Sequence, residues 1–331
     1  MNVSIKDVAA MAKVSPATVS RTLAGGRVSP ALRAKVDAAV EATGYRPNLS
    51  ARRLRSQDSQ TIGLIVADIS NPFFTAVARA VENEAYQAGL RIILCNTDEN
   101  PEKEAMYLQL MEEERVTGVI FAPTRATVGR LTQERFNFPI VLIDRADALN
   151  HHDAVVLDNT AAATSLVTHL YEQGYRRIAG LFGNASTTGI ERQAGYEAAM
   201  RRYQLPPQSQ FLPPSSEAAE AEVARWLNNP SPPEAIIGSN GLFLMGIVRA
   251  LRATGRTMPR DLAVVGFDNE SWTELVGPGL TVIEQPVAEI GHTAMQLLTA
   301  RLADPNAPQR KIMLSGRCIL RGSSQCTQHG A

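Results

Sequence analysis

Cysteine is scarce in this chain. Three occur in 331 residues, Cys95, Cys318 and Cys326. An odd count at wide spacing gives neither a disulfide framework nor a metal-ligand pattern, and it suits a reducing cytoplasm. Long apolar runs are also missing: none approaches the roughly 20 residues that span a bilayer. Lys6 and Asp7 stand where a signal peptide would begin its apolar core, so no membrane partner is expected. The five histidines, His151, His152, His169, His292 and His329, show no ligand spacing. There is no Gly-x-Ser-x-Gly elbow, no His-Glu-x-x-His, no P-loop lysine motif and no Gly-x-Gly-x-x-Gly after a strand. No catalytic residue, metal or cofactor is therefore expected.

Net charge is absent too, with 33 basic and 33 acidic residues, but the balance is uneven along the chain. Residues 1–60 hold ten Lys or Arg against four acids, a net of +6 that leaves −6 for the rest. A basic head on an acidic body points to a polyanionic partner for the head alone.

The head carries a helical apolar pattern. Ser4 and Asp7 have capping-box spacing, and Ile5, Val8, Ala9 and Ala12 recur on one helical face. Ser15-Pro16 starts a second helix with Val19 and Leu23 on its buried side, ended by Gly25-Gly26. Ser29-Pro30 starts a third, stopped by Gly44. Three short helices with a tight turn between the first two form the helix-turn-helix pattern, which sets the start of its second helix in the major groove. Arg21 is the candidate guanine reader. Pro16 and Ala17 suit thymine methyls or sugars, and Ser15, Thr18 and Ser20 suit phosphates. A generic three-helix bundle would share the spacing.

The resemblance is more specific. Ile5-Lys6-Asp7-Val8-Ala9, Val14-Ser15, Thr18-Val19-Ser20-Arg21 and Gly44-Tyr45-Arg46-Pro47-Asn48 resemble the DNA-binding head of the LacI/GalR family of bacterial transcription regulators. That resemblance implies a near-palindromic operator in double-stranded DNA read by a homodimer. It also implies a role for residues 47–60, which alone read as a solvated basic linker too short to be a stable helix. In the family this segment folds on DNA and drives a leucine into the minor groove. Leu54 matches that wedge, with Asn48, Ala51 and Arg52 beside it as candidate contacts.

Residues 61–331 alternate strand and helix, which argues a doubly wound parallel sheet. There are too many elements for one sheet, and the pattern restarts near residue 158. The expected organisation is a helix-turn-helix domain (1–46), a hinge (47–60) and an α/β body (61–331). Two doubly wound parallel-sheet subdomains are expected in the body, about 61–157 with 286–315 and about 158–285 with 316–324. The crossing back near 286 is implied by the resemblance, which extends to the periplasmic sugar-binding proteins.

Open α/β sheets bind ligands beyond the carboxyl ends of their strands. That rule selects Asp68 with Asn71, Phe73 and Phe74; Asp144 and Arg145; Ser186, Thr188 and Arg192; Asn240; and Asp268 with Asn269. Carboxylates, amides, arginines and rings around one cleft suit a polyhydroxylated ligand. Asp68 and Asp144 equally suit turn capping, one of the two phenylalanines is expected in the core, and Arg192 alone reads as readily as a surface charge. Glu191-Arg192-Gln193-Ala194-Gly195-Tyr196 and Gly266-Phe267-Asp268-Asn269 resemble the family's effector segments. The resemblance thus implies that Arg192, then Asp268, holds the effector. Asn240-Gly241 stands where the family often has Asn-Asp, so one carboxylate is missing. With Arg145 and Arg192 present, that points to a sugar acid or sugar phosphate, ahead of a neutral sugar and then a purine; Trp272 would stack on a sugar ring, and the run from Trp272 to Thr281 resembles members that sense sugar acids. The expectation is a repressor controlled by a carbohydrate-type effector. The alternative is a sugar carrier or an α/β enzyme with no regulatory role.

Overall fold

The structure is a computed structural model that describes residues 3–23, 26–45, 59–147 and 151–326. The chain separates into two compact units, residues 1–59 and 60–331. The hinge candidates Asn48, Ala51, Arg52 and Leu54 lie outside the described residues.

In the first unit, helices α1 (Ile5–Ala12), α2 (Pro16–Leu23) and α3 (Pro30–Thr43) enclose a small core. Val8, Val19 and Val36, one from each helix, are fully buried at its centre, with Ala9, Ala12 and Ala39 around them. The Asp7 carboxylate accepts from the backbone N–H of Ser4 at 2.8 Å and from its hydroxyl at 2.7 Å, which fixes the start of α1. Gly44 at φ +62° closes α3.

The second unit holds two six-stranded sheets. The first runs β11 (Lys311–Leu314), β5 (Asp153–Leu157), β4 (Ile140–Ile143), β3 (Gly118–Phe121), β1 (Thr61–Val66), β2 (Arg91–Asn96), all parallel. The second runs β12 (Arg317–Ile319), β10 (Thr281–Glu284), β9 (Ala263–Phe267), β8 (Ala235–Gly238), β6 (Ile178–Gly183), β7 (Gln208–Leu212). Only β12 is antiparallel there, to β10. The central strands are buried along their whole length, as parallel strands covered on both faces must be.

The chain passes between the sheets three times: after Leu157, after Glu284 and after Leu314. The long helix after Glu284, Val287–Ala303, returns to the first sheet because Ile290, Ala294, Leu297 and Leu298 lie in its core with Val77 and Val81.

Several elements carry no sequence signal strong enough to select them. Gln208–Leu212 has two apolar residues in five and is half exposed, because it is an edge strand covered only in part. Ser216–Leu227 is a helix whose buried Ala219, Val223 and Trp226 are spaced among alanines and acids. The same holds of Asp153–Leu157, Arg125–Leu131 and the short pair Lys311–Leu314 and Arg317–Ile319.

Candidate functional site

On the head, α2 exposes Ser15, Pro16 and Ala17 at its start and Arg21 in its last turn, with Thr18 and Ser20 half-buried. The Ser15 hydroxyl is engaged: it accepts from Thr18 N–H at 3.1 Å and shares a hydrogen bond with the Thr18 hydroxyl at 2.9 Å. Ser15 therefore caps α2, and its reach toward a phosphate is smaller than its residue type alone implies. Among the described candidate contacts, Arg21 is the exposed cation.

In the body, the carboxyl ends of both sheets meet at a cleft with about 560 Å³ of empty space, its mouth included. Of the effector candidates, Phe73, Phe74, Asp144, Arg145, Ser186, Thr188, Arg192, Asn240 and Asp268 all line it. Trp272 does not. It lies in an adjoining groove on the far side of Phe73, Asp268 and Gln285.

Three helices point their N-termini at the cleft: Pro72–Gln87, Thr187–Arg202 and Gly241–Ala253. Each is capped by a side chain beside the cavity. Asn71 accepts from Phe73 N–H at 3.1 Å, Ser186 from Gly189 N–H at 3.2 Å, and Asn240 from Phe243 N–H at 2.8 Å. The positive helix ends favour oxygen-rich or anionic groups. They already face four lining carboxylates, Asp68, Glu99, Asp144 and Asp268.

Arg192 is only 4% exposed, so the surface reading of this residue fails. Its Nε donates to the Asn159 side-chain carbonyl at 2.7 Å, its Nη1 donates to the Ser239 carbonyl, and its guanidinium lies 4.0 Å from the Phe267 ring centre. Nη2 is buried with no partner. Burial pulls the guanidinium pKa down, against the opposing pull of Asp268 and Asp144. A buried unmatched N–H costs about 1–3 kcal/mol, so an acceptor delivered to Nη2 would be strongly favoured.

Asp268 accepts from Gly241 N–H at 2.9 Å and from the Gln285 amide at 2.7 Å. Asp144 is buried, and desolvation raises its carboxyl pKa against the attraction of Arg145 and Arg192. Both aspartates sit at left-handed backbone, φ +64° and +79°, as does Glu99 at +55°. Three strained non-glycine residues at one cleft are a pattern of functional sites.

Three expectations need correction. Arg145 is not an open anion receptor: it is paired with Glu99, bonds Asp144 through Nε at 3.2 Å and donates to the Pro123 carbonyl at 3.0 Å. The cleft is also not short of acid, since Glu99 lines it. Finally, Phe73 and Phe74 do not divide between core and cleft. They stack edge to face at 5.0 Å, are both buried in the core, and both line the cavity. Asp68 does cap a turn, accepting from the Ser70 N–H and hydroxyl at 2.8 Å each, while also lining the cleft.

Glu99, Gln285, Ser239 and Asn159 were missed. Glu99 and Gln285 follow the carboxyl ends of β2 and β10, so the rule that selected the others selects them too. Ser239 follows β8 directly and Asn159 lies two residues past β5, so the rule reaches both; it does not show that Ser239 acts through its carbonyl or that Asn159 bonds Arg192, 33 residues away.

A small helical head with an exposed Arg21, and a two-sheet body closed around a polar cleft, define a ligand-responsive DNA-binding protein. Residues 4–48 match the family described as bacterial regulatory proteins, lacI family, and residues 167–324 match the periplasmic binding protein-like domain. The HTH-type transcriptional regulator PtxS of Pseudomonas putida is 33% identical over 98% of this chain and 96% of its own. A LacI family regulator of Enterococcus faecium, solved with bound ribose, has a TM-score of 0.72 at 27% identity, over 81% of this chain and 100% of that one. The lac repressor dimer bound to operator and an anti-inducer shares the fold, with a TM-score of 0.88 at 24% identity over 98% of this chain and 99% of that one. The chain belongs to the LacI family of bacterial transcription regulators, and it is a DNA-binding regulator rather than an enzyme. Among the described residues no helix is long and apolar enough to cross a membrane.

Proposed function

We propose that this protein is a homodimeric, cytoplasmic repressor whose operator affinity is set by a small carbohydrate-type effector in the cleft of the body. Residues 1–46 read a near-palindromic operator through Arg21 and its neighbours. Residues 47–60 act as the hinge, with Leu54 as wedge and Asn48, Ala51 and Arg52 on the backbone. Residues 61–331 bind the effector and pair the subunits. The observation that carries the effector reading is the buried, unmatched Nη2 of Arg192 beside Asp144 and Asp268. A ring hydroxyl both accepts from a guanidinium and donates to a carboxylate, so adjacent hydroxyls match the three groups at once. The effector need only bind one arrangement of the two subdomains better than another to shift DNA affinity.

Four carboxylates against two arginines favour an uncharged sugar. A sugar acid or sugar phosphate is the second reading, supported by the open N–H of Arg192 and the three helix N-termini. The test is a thermal-shift and calorimetric screen of neutral sugars, sugar acids and sugar phosphates on the full chain, repeated with Arg192→Ala. The variant should keep operator binding and lose the response to whichever sugar binds. An undiminished response would place the effector elsewhere.

A further inference from the structure

Away from the three crossovers, the two subdomains also touch at the rim of the cleft. The backbone N–H of Arg125 donates to the Ala185 carbonyl at 3.0 Å. Arg125 opens helix Arg125–Leu131, which follows β3 in the first subdomain, and Ala185 follows β6 in the second and lines the cleft. The first N–H groups of a helix have no acceptor within it. This one finds its acceptor on the opposite rim, and it loses that partner when the rims part.

Both ends of the bond are anchored. In the first subdomain, the Pro123 carbonyl accepts from Arg145 at 3.0 Å. Thr124 gives its N–H and its hydroxyl to Glu104, at 2.6 and 2.7 Å. Glu104, on helix Pro101–Glu113, is fully buried. A buried carboxylate is costly unless its oxygens are matched, and here each is matched by the residue that precedes Arg125. Thr124 also caps the short helix, accepting from Thr127 N–H at 3.4 Å. In the second subdomain, Ala185 precedes Ser186, the cap of the helix that carries Arg192. The bond thus joins the segment held by Arg145 to the seat of Arg192 without passing through the crossovers.

Taking movement between the subdomains as the switch, as above, we infer that this bond is a latch that biases the body toward the arrangement described here, and that Glu104 is the positioning residue that aims its donor. Parting of the rims breaks the bond and releases both anchored segments together. The latch therefore sets the balance of arrangements from which an effector starts, and with it the operator affinity of the free protein.

Proline tests the latch, because it is favoured at the first position of a helix and has no N–H. Thr124 is extended, at φ −65° and ψ 158°, as suits a residue before proline. Arg125→Pro deletes the donor and keeps the helix; Arg125→Ala removes an exposed side chain and keeps the donor. Amide exchange is resolved at residue 125 in the full chain with no sugar added. It should be at least roughly fivefold slower than at the Ala126 N–H, which is exposed and has no acceptor among the described residues. That protection should persist in Arg125→Ala, fall in Glu104→Ala and largely return in Glu104→Gln, which keeps the volume and an acceptor for Thr124. Operator affinity in gel shifts should differ roughly fivefold between Arg125→Pro and Arg125→Ala, with urea midpoints confirming that both fold. Exchange at residue 125 as fast as at Ala126 would overturn the latch and leave the subdomain switch standing. So would an Arg125→Pro body that neither opens by small-angle scattering nor changes operator affinity. An opened body with unchanged operator affinity would reject both.

Discussion

Arg145 and Glu99 face each other across the first sheet's end of the cleft in a two-pronged ion pair, Nη1 to Oε2 at 2.7 Å and Nη2 to Oε1 beside it. Burial works against the Arg145 charge, but Glu99 and then Asp144 more than offset it, so the guanidinium pKa lies above its ordinary value. A sequence-based count of free cations thus overstates the positive charge offered to a ligand.

The pair sets the first prediction. Arg145→Ala leaves Glu99 and the buried Asp144 without their cation, and removing one partner of a buried pair costs about 3–5 kcal/mol. Urea unfolding should show that loss, with Arg145→Lys recovering part of it. A cost below about 1 kcal/mol would mean that water screens the pair as it does at a surface.

Much of this site was legible because parallel sheets place function at strand ends. Asp144, Ser186, Arg192, Asn240 and Asp268 were all reached by counting a few residues past an apolar run, and the structure brings them to one cavity. What could not be read was pairing. Nothing in Asp144-Arg145 says that the arginine bonds a glutamate 46 residues earlier. Nothing in Trp272 says that its ring faces a groove rather than the cleft. The weak elements failed for a related reason: Gln208–Leu212 takes its strand geometry from pairing with Ile178–Gly183, not from its own apolar content.

On the head, Arg21→Ala should weaken operator binding by about 1–3 kcal/mol and relax preference at one base pair. Electrophoretic shifts on operator and on random duplex separate the roles. An equal loss on both would make Arg21 a phosphate contact.

His169 predicts a pH dependence of stability. Burial, only partly opposed by Glu172, lowers its pKa below the ordinary 6.5, and its Nε2 lies 2.8 Å from the Ser324 hydroxyl. Below pH 6.5 the unfolded chain takes up a proton that the folded chain resists. Its contribution is therefore complete above that pH and declines as pH falls toward the folded value. Urea midpoints measured between pH 7.5 and 5.5 should fall, and His169→Gln should flatten the slope. An unchanged slope would assign the titration to other groups, His152 first, whose pKa burial also lowers.

The final prediction concerns how Arg192 is seated. It rides the second turn of helix Thr187–Arg202, and Gly189 in the first turn touches the backbone of Gly183 at the end of β6. A Cβ at Gly189 would fall 2.0 Å from the Gly183 carbonyl oxygen, a contact with rigid backbone that no rotamer change relieves. Gly189→Ala must push the helix outward and carry Arg192 away from Asn159 and Ser239. Overpacking of this kind costs about 1–3 kcal/mol. The functional cost should be larger than the stability cost implies, because the Nη2 donor moves off the cleft while the residue itself is retained. Gly129→Ala is the control: it also lies in a helix, nothing stands within 4 Å of the added atom, and the change should be neutral or slightly stabilising. Calorimetry with the sugar that binds the unmodified protein should show weakened binding for Gly189→Ala and none of that loss for Gly129→Ala. Full affinity in Gly189→Ala would show that Arg192 does not depend on this close approach for its position.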